Sequence, residues 1–260
     1  MVSGVVALLT DFGTDDPFVG VMKGVILSRF PAVRLVDLTH GIRPQDVVHG
    51  AFWLERSFRW FPGGTVHLAV VDPGVGTERA ALAARAHGQL FLGPDNGLLA
   101  EVLARDGSAE VRRIEPSRLA LPVPSATFHG RDLFAPIAAE LAAARLAFEA
   151  VGPEAQPSVG RLLAPPVRGA DCVSGSVVCA DRFGNLISNV EAHLLDGVRR
   201  PLVEIAGITR RLLRTYGEAA PGDYVAVVNA FDTVEVAIRD GNAALALGAG
   251  RGTPVVVRSA

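Results

Sequence analysis

What the chain has little of narrows its chemistry first. Of 25 basic residues only Lys23 is a lysine, the cationic residues form no cluster, and the formal net charge is −2. Phosphate backbones are gripped by concentrated Lys and Arg, so no nucleic-acid partner is expected. The two cysteines, Cys172 and Cys179, have no metal-type spacing and are too few for a disulfide framework. No apolar run approaches the ~18 residues that span a bilayer. The N-terminus enters a strand without a basic region or a small-residue cleavage site. The expectation is a soluble, cytoplasmic protein without a membrane partner. Missing too are a Gly-x-Gly-x-x-Gly after the first strand and a Gly-Lys-Ser/Thr after Gly74 and Gly76. Their absence argues against a Rossmann-type methyltransferase and against a phosphate loop.

What is present is enough apolar residue, 49% of 260, for one large or two modest domains. The first part alternates strands (5–9, 34–38, 66–71), the first and third of them buried, with apolar-periodic helices (18–30, 45–61). His87-Gly88 reads as a tight hairpin turn between strands 80–86 and 89–92, a short helix is expected over 98–104, and an Ala-rich helix over 133–148. After a Pro- and Gly-rich stretch at 152–170, the texture changes to short strands and turns. The predicted fold is α/β: an N-terminal α/β domain with a central, mostly parallel sheet over 1–165, and a smaller, mainly β C-terminal domain over 166–260.

Chemistry concentrates where apolar strands stop. The run 66–71 ends abruptly in Asp72-Pro73-Gly74-Val75-Gly76-Thr77-Glu78-Arg79. Ligands of open parallel sheets bind outside the carboxyl ends of strands, which is where Asp72 falls. The glycines let the backbone fold back, so Arg79 can return beside Asp72; an ordinary turn with a surface ion pair is the plainer alternative. Asp11 repeats the pattern after the first strand. Asp15 or Asp16 can cap the following helix with Pro17 at its first position. His129, in Phe128-His129-Gly130-Arg131-Asp132, sits at a helix entry, where the dipole favours a neutral imidazole able to accept a proton. His49, His67, Trp53 and Trp60 read as packing or surface residues, and Asp95 and Asn96 as turn and cap residues.

Five fragments form a specific set: Thr10-Asp11-Phe12-Gly13, Asp72-Pro73-Gly74-Val75-Gly76, Gly93-Pro94-Asp95-Asn96-Gly97, Phe128-His129-Gly130-Arg131-Asp132 and Asp181-Arg182-Phe183-Gly184-Asn185. With them the chain resembles the adenosine-forming S-adenosylmethionine hydrolases, or hydroxide adenosyltransferases, relatives of fluorinases and chlorinases. The resemblance runs from Leu9 to about Val257. It implies hydrolysis of S-adenosyl-L-methionine to adenosine and L-methionine, by water attacking C5′ of the ribose. It also implies a homotrimer with sites between subunits. Neither metal nor cofactor is expected, since the candidate carboxylates are scattered over both domains and suit hydroxyl and amino groups better than a closed cage. The family's catalytic Asp, Arg and His fall on Asp72, Arg79 and His129. Substrate-binding positions fall on Asp11 and Asp16 at the ribose side, Asp181 and Asn185 at the methionine end, Tyr216 against adenine, and the turn Asn229 to Phe231. Ala230 stands where relatives often carry Ser, which leaves a hydroxyl contact in question. Halogenases of this kind typically have Tyr at the position of Asp72. A halide-dependent 5′-halo-adenosine synthase and a non-catalytic sensor of the same ligand are the alternatives.

Overall fold

The computed structural model describes residues 3–260 apart from Ala120 and Val123. The chain divides into a first unit up to Leu162 and a second over Leu163–Ala260.

The first unit is built on a six-stranded sheet in the order β2-β1-β3-β5-β4-β6. These are β1 (Val5–Thr10), β2 (Arg34–Thr39), β3 (Val66–Val70), β4 (Ala81–Ala86), β5 (Gln89–Pro94) and β6 (Glu110–Arg113). β2, β1, β3 and β5 run parallel, whereas β4 is antiparallel to both β5 and β6. The sheet is therefore mixed, and its antiparallel edge follows from the two-residue turn His87-Gly88. Both residues have positive φ (51° and 71°), the conformation that lets strands reverse without splaying.

β1 and β3 are buried along their whole length because helices cover both faces. Val6, Leu8, Leu68 and Val70 pack with α1 (Phe18–Arg29) and α4 (Ala135–Ala142). The alternate residues Leu9, Ala69 and Val71 pack with α2 (Val47–Ser57) and α3 (Ala100–Leu103). The period-2 alternation of a strand thus divides one apolar run between two cores.

Helix ends depart from the sequence expectations for local reasons. Pro17, not an aspartate, occupies the cap of α1: its carbonyl accepts from Val21 N at 2.9 Å, and no side chain caps the helix. Gln45 has φ 64°, which a right-handed helix excludes, so α2 starts after Asp46, whose carboxylate accepts from His49 N at 3.0 Å. α2 stops at Ser57 and a 3₁₀ turn, Phe58–Trp60, completes the segment. The short helix is confined to Ala100–Leu103. In place of one helix over 133–148, a π-helical turn, Gly130–Phe134, precedes α4. Pro136 has no N–H for the Asp132 carbonyl, and the wide turn, in which Ala135 N bonds Gly130 O, absorbs the loss. Ala144, at φ 54°, lies beyond the end of α4. The Pro-rich stretch 121–125 includes Val123 and so lies partly outside the described residues.

The second unit is a closed barrel. Its strands are β7 (Val167–Arg168), β8 (Cys172–Ala180), β9 (Leu186–Glu191), β10 (Leu202–Ile205), β11 (Ile208–Leu213), β12 (Tyr224–Val228), β13 (Thr233–Ile238) and β14 (Pro254–Arg258). They follow the order β14-β10-β11-β12-β13-β9-β8-β7, and a further β14–β8 pairing closes the ring and leaves β7 as an appendage. Val173, Leu186, Val203, Ala226, Val234, Val236 and Val255 belong to its core. A short helix, α5 (Ala243–Leu247), packs with β13.

Candidate active site

The end of β3 carries the densest chemistry in the first unit. Val75 N bonds Asp72 O at 3.2 Å, Thr77 N bonds Gly74 O at 3.2 Å, and Gly76 takes φ 79°. These consecutive tight turns reverse the chain and bring Arg79 back over Asp72. Arg79 Nε donates to Asp72 Oδ1 at 2.8 Å, and its Nη2 donates to Asp72 Oδ2, a forked pair of charge-assisted bonds. The same Nη2 donates to His129 Nδ1 at 3.0 Å, while Nη1 bonds the Ala80 carbonyl. The side chains of Asp72 and Arg79 are only 4% and 10% exposed, so the pair is shielded from bulk water and its geometry is held.

His129 is placed by the loop before the π-helical turn, at the turn's cap position. Asp132 folds back to accept from Ser125 N at 2.9 Å and closes that loop. Burial, and then the Arg79 cation, hold the His129 pKa below the ordinary histidine value, with Asp72 and Asp132 opposing. The ring is thus neutral, as the sequence implies, but the causes are burial and a guanidinium rather than a helix dipole. A guanidinium only donates, so His129 Nδ1 accepts and the ring's hydrogen sits on Nε2. The lone pair expected to take a proton is therefore already engaged, whereas each Asp72 oxygen, though bonded to Arg79, keeps a second lone pair that can accept.

Asp11, after β1, accepts from Gln45 N at 2.7 Å, which accounts for the strained Gln45. Asp16 is exposed in the loop before α1. Phe12, Phe18 and Phe128 meet in an aromatic cluster with centroids 5.5–6.0 Å apart, linking the Asp11 loop to the residue preceding His129. Asn96 ties the end of β5 to that of β3 by donating to the Val71 carbonyl at 2.9 Å. Asp95 accepts from the Ser158 amide and hydroxyl, which anchors the segment leaving the first unit.

The other site residues lie in the second unit. The β8–β9 turn is organised by Asp181, whose Oδ1 accepts from Phe183 N and Asn185 N, both at 2.9 Å, and whose Oδ2 accepts from Asn185 Nδ2 at 3.1 Å. Asp181, Asn185, Tyr216, Arg239 and Asn242 line a cleft of about 750 Å³. Tyr216, 42% exposed, donates its hydroxyl to Glu235 at 2.6 Å. Asn229 shapes the turn before β13: its Oδ1 accepts from Phe231 N and Thr233 N, and its Nδ2 donates to Glu235 at 3.1 Å. Ala230 is exposed in that turn and supplies only a methyl group. Sequence reasoning missed Glu235 and Asn242. An acid alone among Thr233-Val234-Glu235-Val236-Ala237-Ile238 was the signal for the first. Among the described residues no group of His, Cys, Asp or Glu could hold a metal ion, and no helix is long and apolar enough to cross a membrane.

Residues 6–152 match the S-adenosylmethionine hydroxide adenosyltransferase N-terminal domain, and residues 175–256 match the corresponding C-terminal domain. A (R)-S-adenosyl-L-methionine hydrolase of Thermus thermophilus is 41% identical over 96% of this chain and 98% of its own. A fluorinase of an Actinoplanes species is 30% identical over 72% of this chain and 71% of its own. Among solved structures, an uncharacterised conserved protein from Thermotoga maritima superposes with a TM-score of 0.89 at 33% identity, covering 97% of this chain and 99% of the other.

Proposed function

The chain belongs to the S-adenosylmethionine hydroxide adenosyltransferase family, and from that premise we propose how its residues act. It is an enzyme that hydrolyses S-adenosyl-L-methionine to adenosine and L-methionine. The observation that carries the mechanism is the Asp72–Arg79–His129 cluster at the carboxyl end of β3.

The sulfonium leaves as the neutral thioether of methionine, so no acid is required at that end and the demand falls on the nucleophile. Bulk water has a pKa of about 15.7 and must lose a proton as it attacks. Asp72 takes that proton. The Nε2–H of His129 holds the water oxygen, and Arg79 aligns both groups. The O–C5′ bond forms as C5′–S breaks, and the proton passes from Asp72 to solvent. General-base help of this kind contributes roughly 10²–10⁴-fold, and holding water in line with the breaking bond adds to it. This chemistry needs no cofactor and no metal.

Asp11 and Asp16 bind the ribose side, Asp181 and Asn185 the methionine end, and Tyr216 with the Asn229–Phe231 turn the base. The active assembly is a homotrimer in which each site draws on two subunits, and the enzyme works in the cytoplasm. The name of the Thermus relative supports the (R)-sulfonium epimer as the preferred substrate. A carboxylate at the nucleophile position repels halide, which favours hydrolysis over halogenation.

The test is incubation with each sulfonium epimer in halide-free buffer, followed by chromatography. Adenosine and methionine in equal amounts, formed faster from the (R) epimer, is the expected result. Formation of 5′-halo-adenosine only when chloride or fluoride is added would favour the halogenase alternative, and unchanged ligand would favour a sensor.

A further inference from the structure

We propose that Glu235 is a positioning residue for the nucleoside end of the substrate. Its buried carboxylate bridges the Tyr216 hydroxyl and the Asn229 carboxamide, and so fixes the aromatic wall of the cleft against the Asn229–Phe231 turn. The inference rests on the reading that this cleft receives the adenosyl group.

Glu235 is 3% exposed in a strand whose neighbours Val234 and Val236 point into the barrel core. By strand alternation its side chain shares the outer face of β13 with Ala237, which lines the cleft. A carboxylate is costly to bury there, and a valine or leucine would satisfy packing alone. What the acid adds is two acceptor oxygens, each taken by a donor from a different loop: Tyr216 in the one-turn helix Tyr216–Glu218, and Asn229 in the β12–β13 turn. Asn229 in turn uses its oxygen to hold Phe231 N. One buried group therefore sets the position of Tyr216, which lines the cleft, relative to the β12–β13 turn behind it. Both oxygens are engaged by groups that shape the cleft, so the effect of Glu235 falls on binding.

The pair also leaves a spectroscopic mark. Burial first, and then the Glu235 carboxylate, push the Tyr216 phenol well above the ordinary tyrosine range. Burial raises the Glu235 carboxyl in turn, while the bonds from Tyr216 and Asn229 draw it back down. The chain has only two tyrosines, Tyr216 and Tyr224, so an absorbance titration can follow the bridge directly.

The experiment compares wild type with Glu235→Leu, Glu235→Gln and Tyr216→Phe by steady-state kinetics on S-adenosylmethionine, calorimetric binding of adenosine, thermal melting and tyrosine titration. Glu235→Leu is expected to raise KM and the adenosine Kd about tenfold or more, with kcat within about threefold, because two donors lose a charged partner. Glu235→Gln is expected to stay within about threefold of wild type, since the Tyr216 hydroxyl can reverse and accept from the new amide while the amide oxygen still serves Asn229. In both variants Tyr216 should ionise at lower pH than in wild type. If Glu235→Leu does not fold, Tyr216→Phe cuts the same bridge from an exposed residue and should shift KM in the same direction. Unchanged KM and Kd in Glu235→Leu and Tyr216→Phe, or a loss of kcat alone, overturns the proposal while leaving the hydrolase reading intact. If wild type binds no adenosine, the nucleoside reading of the cleft fails and the proposal fails with it.

Discussion

Gly76 lies against the carbonyl of Ala126 so closely that a β-carbon on Gly76 would fall far inside contact distance of that oxygen. The contact joins the loop that returns Arg79 to the segment that presents His129, and Gly76 also needs its positive φ of 79°. Gly76→Ala should therefore part Arg79 from His129. A misplacement of about 1 Å can cost 10²-fold in rate, so kcat is expected to fall by roughly that factor with adenosine affinity nearly unchanged. Kinetics together with calorimetry check it, and a variant with wild-type kcat would show that the loop contact does not set the geometry.

Asp72→Asn keeps the shape of the residue and removes the base. One oxygen can still accept from Arg79, so the trio stays assembled while water has no group to take its proton. The expected loss in kcat is roughly 10²–10⁴-fold, with adenosine affinity within a few-fold of wild type. Single-turnover measurement on S-adenosylmethionine gives the answer, and near-wild-type turnover would remove Asp72 from the mechanism.

The pH dependence of His129 has a definite sign. Burial and the Arg79 cation favour the neutral ring, so its pKa lies below the ordinary 6.5. A protonated ring would face Arg79 with an N–H and break their bond. Activity should hold above that lowered pKa and fall as pH drops through it. The acid limb of kcat/KM is therefore expected below 6.5, matched by the His129 C2–H titration in NMR. A limb at or above 6.5 contradicts the assignment.

The positions of Asp72, Arg79 and His129 at strand and helix ends were readable because abrupt changes from apolar run to Gly-rich turn mark where chains leave a sheet. The return of Arg79 to Asp72 was readable too, from the glycines between them, but its contact with His129 was not, since that bond spans 50 residues of sequence and depends on Gly76 and Asp132. β1 and β3 were legible through their buried runs, whereas β6, exposed at the sheet edge, was not foreseen. The barrel closure was not, because it rests on the pairing of β14 with β8, which no local pattern announces. Helix ends failed wherever one backbone detail overrode periodicity, as at Gln45 and Pro136. Glu235 was passed over because an isolated acid in a strand reads as a solvated position until the loop that covers it is known.

His67 supplies a stability prediction independent of the active site. It sits in β3, 1% exposed, stacked on Phe91, and its Nε2 donates to Gln89 Oε1 at 2.5 Å. Its Nδ1 has no hydrogen-bond partner among the described residues, so a second proton there would be buried without an acceptor. Burial lowers its pKa from 6.5 to about 4, with the Gln89 bond pulling weakly the other way. The unfolded chain then binds a proton below 6.5 that the folded chain refuses until about 4, so stability is full above 6.5 and is lost as pH falls through that window. At pH 5 the loss is about 2 kcal/mol relative to neutral pH. His67→Gln should remove that slope, whatever it costs in packing against Phe91. Urea denaturation of wild type and variant at neutral pH and at pH about 5 checks it, and equal acid sensitivity in the two proteins would assign the slope to other groups.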